Sequence, residues 1–294
     1  MELVGAGNEY LLLHCRFPGA DPASFKIKVI QLGRRGPVPR FQTAFYQLCW
    51  APPASRGKLP PDALLPLDQG LVSTGQALDI IAVFHILSDS SRGTFRLVLV
   101  ATDKRHIFRL PLKLRVYRFD LPDDLPISIF AQFWPYSRER YRKYGVSATA
   151  YLPTIQAYYQ SLRKYKVNVL GGVHFFPFDQ LRPDTRIEEF RDYHELVEFA
   201  LNRAKFRSIM IPKLWGWKSI NSPGGTFLAR ALIFYPLYQA YLKRHGWQDR
   251  ALNYLIDEPK PQDYPAVQQA FALVKKLAPT VRTLCTGWNP APEF

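Results

Sequence analysis

The sequence predicts two domains of different fold class: an N-terminal antiparallel β-sandwich followed by a (β/α)8 TIM-like barrel that is truncated after about five strands. Three observations predict this. Residues 25–120 hold short β-rich runs between turn residues, with no helical pattern. Residues 127–285 alternate between strand and helix patterns. A Pro/Asp-rich joint, Leu121–Pro126, lies between them, so we place the sandwich at residues 1–121 and the partial barrel at residues 126–294.

In the first domain, β-branched and aromatic residues predict strands, and Ser90–Gly93 and Thr102–Arg105 predict turns. The expected strands are Lys26–Leu32, Phe41–Trp50, Ala77–Leu87, Thr94–Ala101 and Ile107–Phe119. The proline-rich segment Ala51–Pro66 predicts a long extended loop. Leu11–Cys15 resembles the end of a lipoprotein signal, but it lacks a basic start and a long apolar segment, so we expect a buried strand there.

In the second domain, helical periodicity and short apolar runs alternate along the chain. The helices are expected at Leu152–Tyr165, Glu188–Lys205, Phe227–His245 with a kink at Pro236, and Pro265–Leu277. The strands are expected at Ile127–Phe133, Val167–Phe175, Ser208–Leu214, Leu252–Ile256 and Val281–Cys285. Such a series builds a parallel sheet, either doubly wound or closed as a barrel, with functional residues at the carboxyl ends of the strands. Since a full barrel has eight strands, we expect a fragment or completion by another segment.

Composition narrows the function classes. The 294 residues are 47% hydrophobic, and no apolar run has the roughly 18 residues that a membrane span needs, so no membrane association is expected. The net charge of +15 predicts attraction to polyanions, but the basic residues are scattered, apart from a cluster at Arg138–Lys143 that we interpret as solvated surface. We expect no nucleic-acid partner. The three cysteines are widely spaced, so we expect them to be small buried apolar residues and expect no metal site. They do not indicate a cellular compartment.

The candidate substrate-binding residues lie at the carboxyl ends of the expected barrel strands. No nucleotide-binding glycine motif follows the first barrel strand, which favours a pocket without a cofactor. Aromatic and ionisable side chains fit a carbohydrate substrate, because sugar rings stack their C–H faces on Trp and Tyr. By position, the candidate substrate-binding residues are His174, Trp134, Trp215, Trp217, Lys213 and Trp288. The alternatives are a structural role for His174, a packing role for the tryptophans and a solvated Lys213. The oligomeric state is not predicted.

Asp257 and Glu258 are the candidate catalytic residues. They end the apolar strand Asn253–Ile256 and precede Pro259, which is expected to stop the strand and hold Glu258 extended. Acids at such strand ends are often catalytic, but they also commonly cap the next helix, so the residues alone leave both interpretations open.

A family resemblance favours catalysis. The run Leu255–Pro259, followed by a helix and the turn Ala278–Arg282, resembles the catalytic domain of glycoside hydrolase family 123. Upstream, Pro61–Pro66 and the strands from Gly93 to Pro122 are similar to that family's sandwich and linker, so the resemblance covers about residues 60–290.

The resemblance implies a β-N-acetylgalactosaminidase-like hydrolase that retains configuration through the substrate's own 2-acetamido group. It implies that Glu258 protonates the leaving oxygen and later activates water, and that Asp257 holds the acetamido N–H. The alternatives are a carbohydrate-binding or scaffold protein of the same architecture and, because of the positive charge, a nucleic-acid binder.

Overall fold

A computed structural model describes residues 1–32, 39–50, 61–71, 77–132, 137–143, 145–173, 175–214 and 226–286. The chain divides into two compact units, Met1–Asp123 and Asp124–Phe294. Within the described residues, no helix is long and apolar enough to cross a membrane.

Unit 1 contains two four-stranded sheets that share one hydrophobic core. The first sheet has the order β1-β8-β7-β3 and the second the order β2-β6-β4-β5. The strands are β1 Glu2–Gly7, β2 Glu9–Phe17, β3 Lys26–Leu32, β4 Phe41–Trp50, β5 Pro61–Pro66, β6 Leu78–Ile86, β7 Gly93–Thr102 and β8 Ile107–Asp120.

Period-two alternation explains the sandwich. In β7 the residues Phe95, Leu97, Leu99 and Ala101 are buried, whereas their neighbours face away from the core. Strand β6 is almost wholly buried, as expected of a central strand that packs against the opposite sheet. The strands expected from the sequence that correspond to β3, β4, β6, β7 and β8 are confirmed to within one residue at every end.

Three expectations for this unit need correction. The sandwich is not purely antiparallel, because β1 pairs with β8 in parallel. The proline-rich segment is not entirely loop, since Pro61–Pro66 pairs with β4 as an edge strand, where missing N–H donors are tolerated; residues 51–60 lie outside the described part. The strand at Leu11–Cys15 exists but is only half-buried, with Leu12 65% exposed.

Unit 2 contains a sheet of five parallel strands with the order β13-β12-β11-β10-β9. The strands are β9 Phe130–Gln132, β10 Val169–Gly171, β11 Ser208–Met210, β12 Ala251–Tyr254 and β13 Arg282–Leu284. The helices are α1 Arg138–Lys143, α2 Tyr151–Lys164, α3 Arg191–Glu198, α4 Thr226–His245 and α5 Tyr264–Leu277. The alternation of strand and helix is thus confirmed, and α4 continues through Pro236.

Strand order distinguishes between the two expected architectures. Each strand pairs with the next one along the chain, and the reversal that defines a doubly wound sheet does not occur among the described strands. Sequential parallel order is the arrangement found in (β/α) barrels. However, the five described strands form an open sheet, so the closed barrel that the sequence suggested is not confirmed.

Asn168 joins the amino ends of three neighbouring strands in unit 2. Its buried side-chain amide donates to the carbonyl oxygens of Leu125 at 3.2 Å and Ile127 at 2.8 Å, and its Oδ1 accepts the Ile129 N–H at 2.8 Å. Its own carbonyl oxygen accepts the Arg207 N–H at 2.8 Å. One side chain therefore satisfies backbone groups that irregular segments would otherwise leave unpaired.

Gly171 lets β9 and β10 approach closely at their carboxyl ends. A Cβ atom on Gly171 would lie 2.2 Å from the Phe130 ring and 2.9 Å from the Ala131 carbonyl oxygen. Only glycine fits there without a backbone shift, and this brings the site-bearing end of the sheet together.

Candidate active site

Five described side chains or backbone groups meet at the carboxyl ends of β11, β12 and β13. Lys213 follows β11, Tyr254 ends β12, Asp257 and Glu258 follow it, and Thr286 follows β13. The register continues past the strands, because the Leu255 N–H donates to the Leu284 carbonyl oxygen at 2.9 Å. Parallel pairing of β12 with β13 therefore delivers Thr286 to the acidic pair.

Two hydroxyl groups hold one oxygen of Asp257. The Tyr254 hydroxyl lies 2.5 Å and the Thr286 hydroxyl 2.6 Å from Asp257 Oδ1. The two hydroxyl oxygens are 2.9 Å apart. Each hydroxyl has a single hydrogen, and a carboxylate is the stronger acceptor, so both hydrogens point to Oδ1. Among the described residues, no hydrogen bond reaches Oδ2, and Asp257 is exposed.

The same contacts set the charge of Asp257. Hydrogen bonds from Thr286 and Tyr254, together with the positive charge of Lys213, hold the pKa of the Asp257 carboxyl below its ordinary value. Burial and the hydrogen bond to Asp257 raise the pKa of Tyr254 to about 12. Asp257 is therefore a fixed anion and Tyr254 a neutral donor across the physiological pH range.

Lys213 lies over the ring of Tyr254, with Nζ 5.0 Å from the ring centroid. This contact places a cation beside the clamped carboxylate and leaves the side chain exposed. Lys213 was expected at this edge of the sheet from its strand-end position, and its contact with Tyr254 connects it to the acidic pair.

Glu258 adopts a backbone conformation that the sequence did not predict. Its φ angle is +46°, in the left-handed region, whereas a residue before proline was expected to be extended. The Glu258 N–H donates both to the Thr286 carbonyl oxygen at 3.1 Å and to Thr286 Oγ1 at 3.2 Å, which compensates part of the strain. The chain bends at Asp257–Glu258, so strand alternation no longer sends the two acids to opposite faces.

The structure does not describe the other candidate substrate-binding residues, and it adds two residues that the sequence analysis did not single out. His174, Trp134, Trp215, Trp217 and Trp288 lie outside the described residues. Tyr254 and Thr286 were not singled out by sequence reasoning, although both occupy strand ends, the positions at which functional residues were sought. No group of three or more His, Cys, Asp or Glu side chains within the described part of the chain could hold a metal ion.

Comparison with solved structures identifies the fold. A family 123 glycoside hydrolase from Clostridium perfringens superposes with a TM-score of 0.57 at 11% sequence identity. The match covers 92% of this chain and 55% of that one, so the chain spans about half the length of the enzyme. At this identity the likeness shows a shared fold and nothing finer.

Other matches are weaker. A candidate α-galactosidase from Bacteroides fragilis gives a TM-score of 0.31 at 11% identity, covering 95% of this chain and 52% of that one. No protein-family model and no curated protein matches the sequence.

Proposed function

We propose that the chain is a glycoside hydrolase that acts on N-acetylhexosamine-type glycans, with N-acetyl-β-galactosaminides as the substrates to test first. One observation carries the proposal: a charged Asp257, clamped through one oxygen at the carboxyl end of a parallel sheet, directly precedes a bent, exposed Glu258. The fold shared with a family 123 glycoside hydrolase supports the same reaction class.

The proposed reaction begins with attack by the substrate's own acetamido oxygen. This oxygen bonds to the anomeric carbon as the glycosidic C–O bond breaks, and Glu258 gives its proton to the departing oxygen. The acetamido group becomes a cationic oxazolinium ring. Asp257 Oδ2 accepts the acetamido N–H, and the fixed negative charge stabilises the developing positive charge.

Water completes the reaction. The ionised Glu258 takes a proton from a water molecule, whose oxygen bonds to the anomeric carbon while the carbon–oxygen bond to the acetamido group breaks. Two inversions give net retention and regenerate the protonated acid. Because the internal nucleophile belongs to the substrate, the protein needs no carboxylate on the opposite face of the sugar, which suits two acids that are adjacent in sequence.

Several residues are proposed as substrate contacts by their strand-end positions. Lys213 is proposed to bind an acidic or hydroxyl group of the sugar beside Asp257. His174 is proposed to bind a sugar hydroxyl, and the aromatic residues Trp134, Trp215, Trp217 and Trp288 to provide stacking surfaces.

The test is release of nitrophenol from an aryl N-acetyl-β-galactosaminide by the chain and by two near-isosteric variants. Glu258→Gln removes the group that acts as both acid and base and should lower kcat by about 10²–10⁴-fold, mainly at the water step, because nitrophenolate departs with little protonation. Asp257→Asn keeps the shape but removes the charge and should lower kcat by about 10²–10³-fold. Equal rates in all three proteins would contradict the assignment.

Participation by the acetamido group is tested separately, with a substrate that lacks this group and with a thiazoline inhibitor. The corresponding aryl galactoside, which carries a 2-hydroxyl group, should not be hydrolysed at a measurable rate, and a galactose-configured thiazoline should inhibit competitively. Equal hydrolysis of the two aryl glycosides would exclude assistance by the substrate while leaving a glycosidase in place.

A non-catalytic carbohydrate-binding protein of the same architecture is the second candidate. Glu258 is exposed, whereas a general acid works best when its carboxyl group is shielded from water. This candidate predicts that the parent chain and Glu258→Gln bind N-acetylgalactosamine equally and that neither releases nitrophenol.

A further inference from the structure

The outward side of the first sheet of unit 1 is a basic face. Alternation directs six cationic side chains of three neighbouring strands away from the core, and all six are exposed: Lys26, Lys28, Arg96, Arg109, Lys113 and Arg115. Among the described strand residues of this sheet, the one acid on the same side is Glu2 of β1, which lies 3.5 Å from Lys113 and 3.7 Å from Arg115. We call this surface the basic face.

Strand register arranges these charges around an apolar centre. Lys28, Val100 and Arg109 occupy one row across β3, β7 and β8, so the backbones of the two cationic residues are about 10 Å apart, with a valine between them. The next row holds Ile30, Val98 and Pro111 and has no charge.

The basic face is concave. A depression of about 680 Å³ lies over Lys28, Val100 and Arg109, and a second of about 660 Å³ lies over Arg96 and Lys113. Leu32 lines both depressions and is 50% exposed, and Ile107 in the first is 67% exposed. Contiguous exposed apolar side chains with polar residues around them are typical of a binding surface.

Aromatic side chains continue the basic face along β8. Tyr117 and Phe119 are stacked with their ring centroids 5.6 Å apart, and the Arg115 guanidinium lies 5.5 Å from the Tyr117 ring. From Ile107 to Phe119 the strand extends about 40 Å, long enough to lie along several sugar residues.

We propose that the basic face binds an anionic glycan chain. The cations would pair with its sulfate or carboxylate groups, and the aliphatic centre and the Tyr117–Phe119 stack would pack against the C–H faces of its sugar rings. Successive bases of a single-stranded nucleic acid need successive aromatic rings, whereas the centre of this face is aliphatic. The choice of a glycan among polyanions also rests on the proposed function.

The test measures binding of chondroitin sulfate, an anionic polymer that contains N-acetylgalactosamine, to the whole chain carrying Glu258→Gln, so that the polymer is not cleaved. The chain should bind chondroitin sulfate, bind its desulfated form more weakly, and lose affinity as salt screens the charges. Adding Lys28→Gln and Arg109→Gln should weaken binding about fivefold to tenfold.

The matched control is a variant that loses two positive charges outside the basic face. Lys275→Gln with Lys276→Gln removes exposed lysines from helix α5 of unit 2 and should leave the affinity unchanged. Without the Glu258 substitution, the basic-face variant should hydrolyse the small aryl substrate at the parental rate, because neither position is among the residues that meet at the carboxyl ends of β11, β12 and β13.

Three outcomes would overturn the inference: absence of binding, equal affinities of the parent and the basic-face variant, or tighter binding of single-stranded oligothymidylate through the same residues. Its failure is distinguishable from failure of the proposed function. A chain that cleaves the aryl substrate but does not bind chondroitin sulfate contradicts only the basic face, whereas binding without cleavage contradicts only the hydrolase.

Discussion

Asp257 derives its properties from its hydrogen-bond partners. One oxygen accepts two hydroxyl hydrogens from Tyr254 and Thr286, which fixes the carboxylate in orientation and favours its charged form. A fixed anion contributes to stabilising a cationic intermediate without first reorganising. Tyr254 and Thr286 are therefore positioning residues for the proposed reaction.

The two hydrogen bonds from Tyr254 and Thr286 to Asp257, which we call the clamp, predict how the rate depends on pH. Because the pKa of Asp257 is lowered in the folded chain, Asp257 should stay ionised as the pH falls, so that its protonation limits the rate only at low pH. Tyr254→Phe or Thr286→Val removes a donor to the anion and should raise the pKa of Asp257. The acid limb of the kcat/KM profile should then move to higher pH.

The control for the clamp is Thr280→Val, the same change at a hydroxyl before β13, at the other end of that strand. Thr280 donates to Gln239 Oε1 at 3.2 Å and should leave the profile unchanged. An acid limb that stays in place in both clamp variants would refute the positioning role, even if the rates fall.

Glu258 shows why a local rule failed. Proline at the next position favours an extended residue, yet Glu258 has a φ of +46°. The pairing of β12 with β13 brings Thr286 to its N–H, and these hydrogen bonds offset a conformation that costs about 1–3 kcal/mol. Strain at such a position is common where function requires a particular side-chain direction.

At the scale of elements, the parallel sheet of unit 2 is held together by hydrogen bonds at the amino ends of its strands. Strands β9, β10 and β11 have three residues each, too few for ladder hydrogen bonds alone to define their register. Asn168 supplies the missing partners from a fully buried position between α2 and β10. Asparagine fits because it offers donors and an acceptor on one short side chain.

Asn168→Ala should therefore destabilise the chain by about 2–4 kcal/mol, since it removes three part-buried hydrogen bonds to backbone groups of Leu125, Ile127 and Ile129. Chemical denaturation followed by circular dichroism measures this loss. Asn202→Ala, at an exposed position after α3, should change the stability by less than about 0.5 kcal/mol. Equal effects of the two substitutions would show that the amide network is not important for stability.

At the scale of the whole molecule, the two units have separate hydrophobic cores. One lies between the sheets of unit 1, and the other packs α2 to α5 against the parallel sheet of unit 2. Both are large enough to expect independent folding, and we propose that the boundary lies in the joint between residues 121 and 126.

A fragment of residues 1–123, expressed alone, should therefore give a β-type circular dichroism spectrum and a single cooperative thermal transition. It should also retain the binding of chondroitin sulfate that we propose for the basic face. A gradual transition without a defined midpoint would show that unit 1 needs unit 2 in order to fold.

The sequence by itself determined the order and type of most elements, because hydrophobic periodicity is a local property: period two in β7 and helical spacing in α2 and α5 can be read from neighbouring residues. It also located Asp257 and Glu258 at a strand end. Tertiary structure alone decided the parallel pairing of β1 with β8, the clamp on Asp257 and the turn at Glu258. The clamp joins residues 29 positions apart through the pairing of β12 with β13, and no periodicity within one segment encodes such a contact.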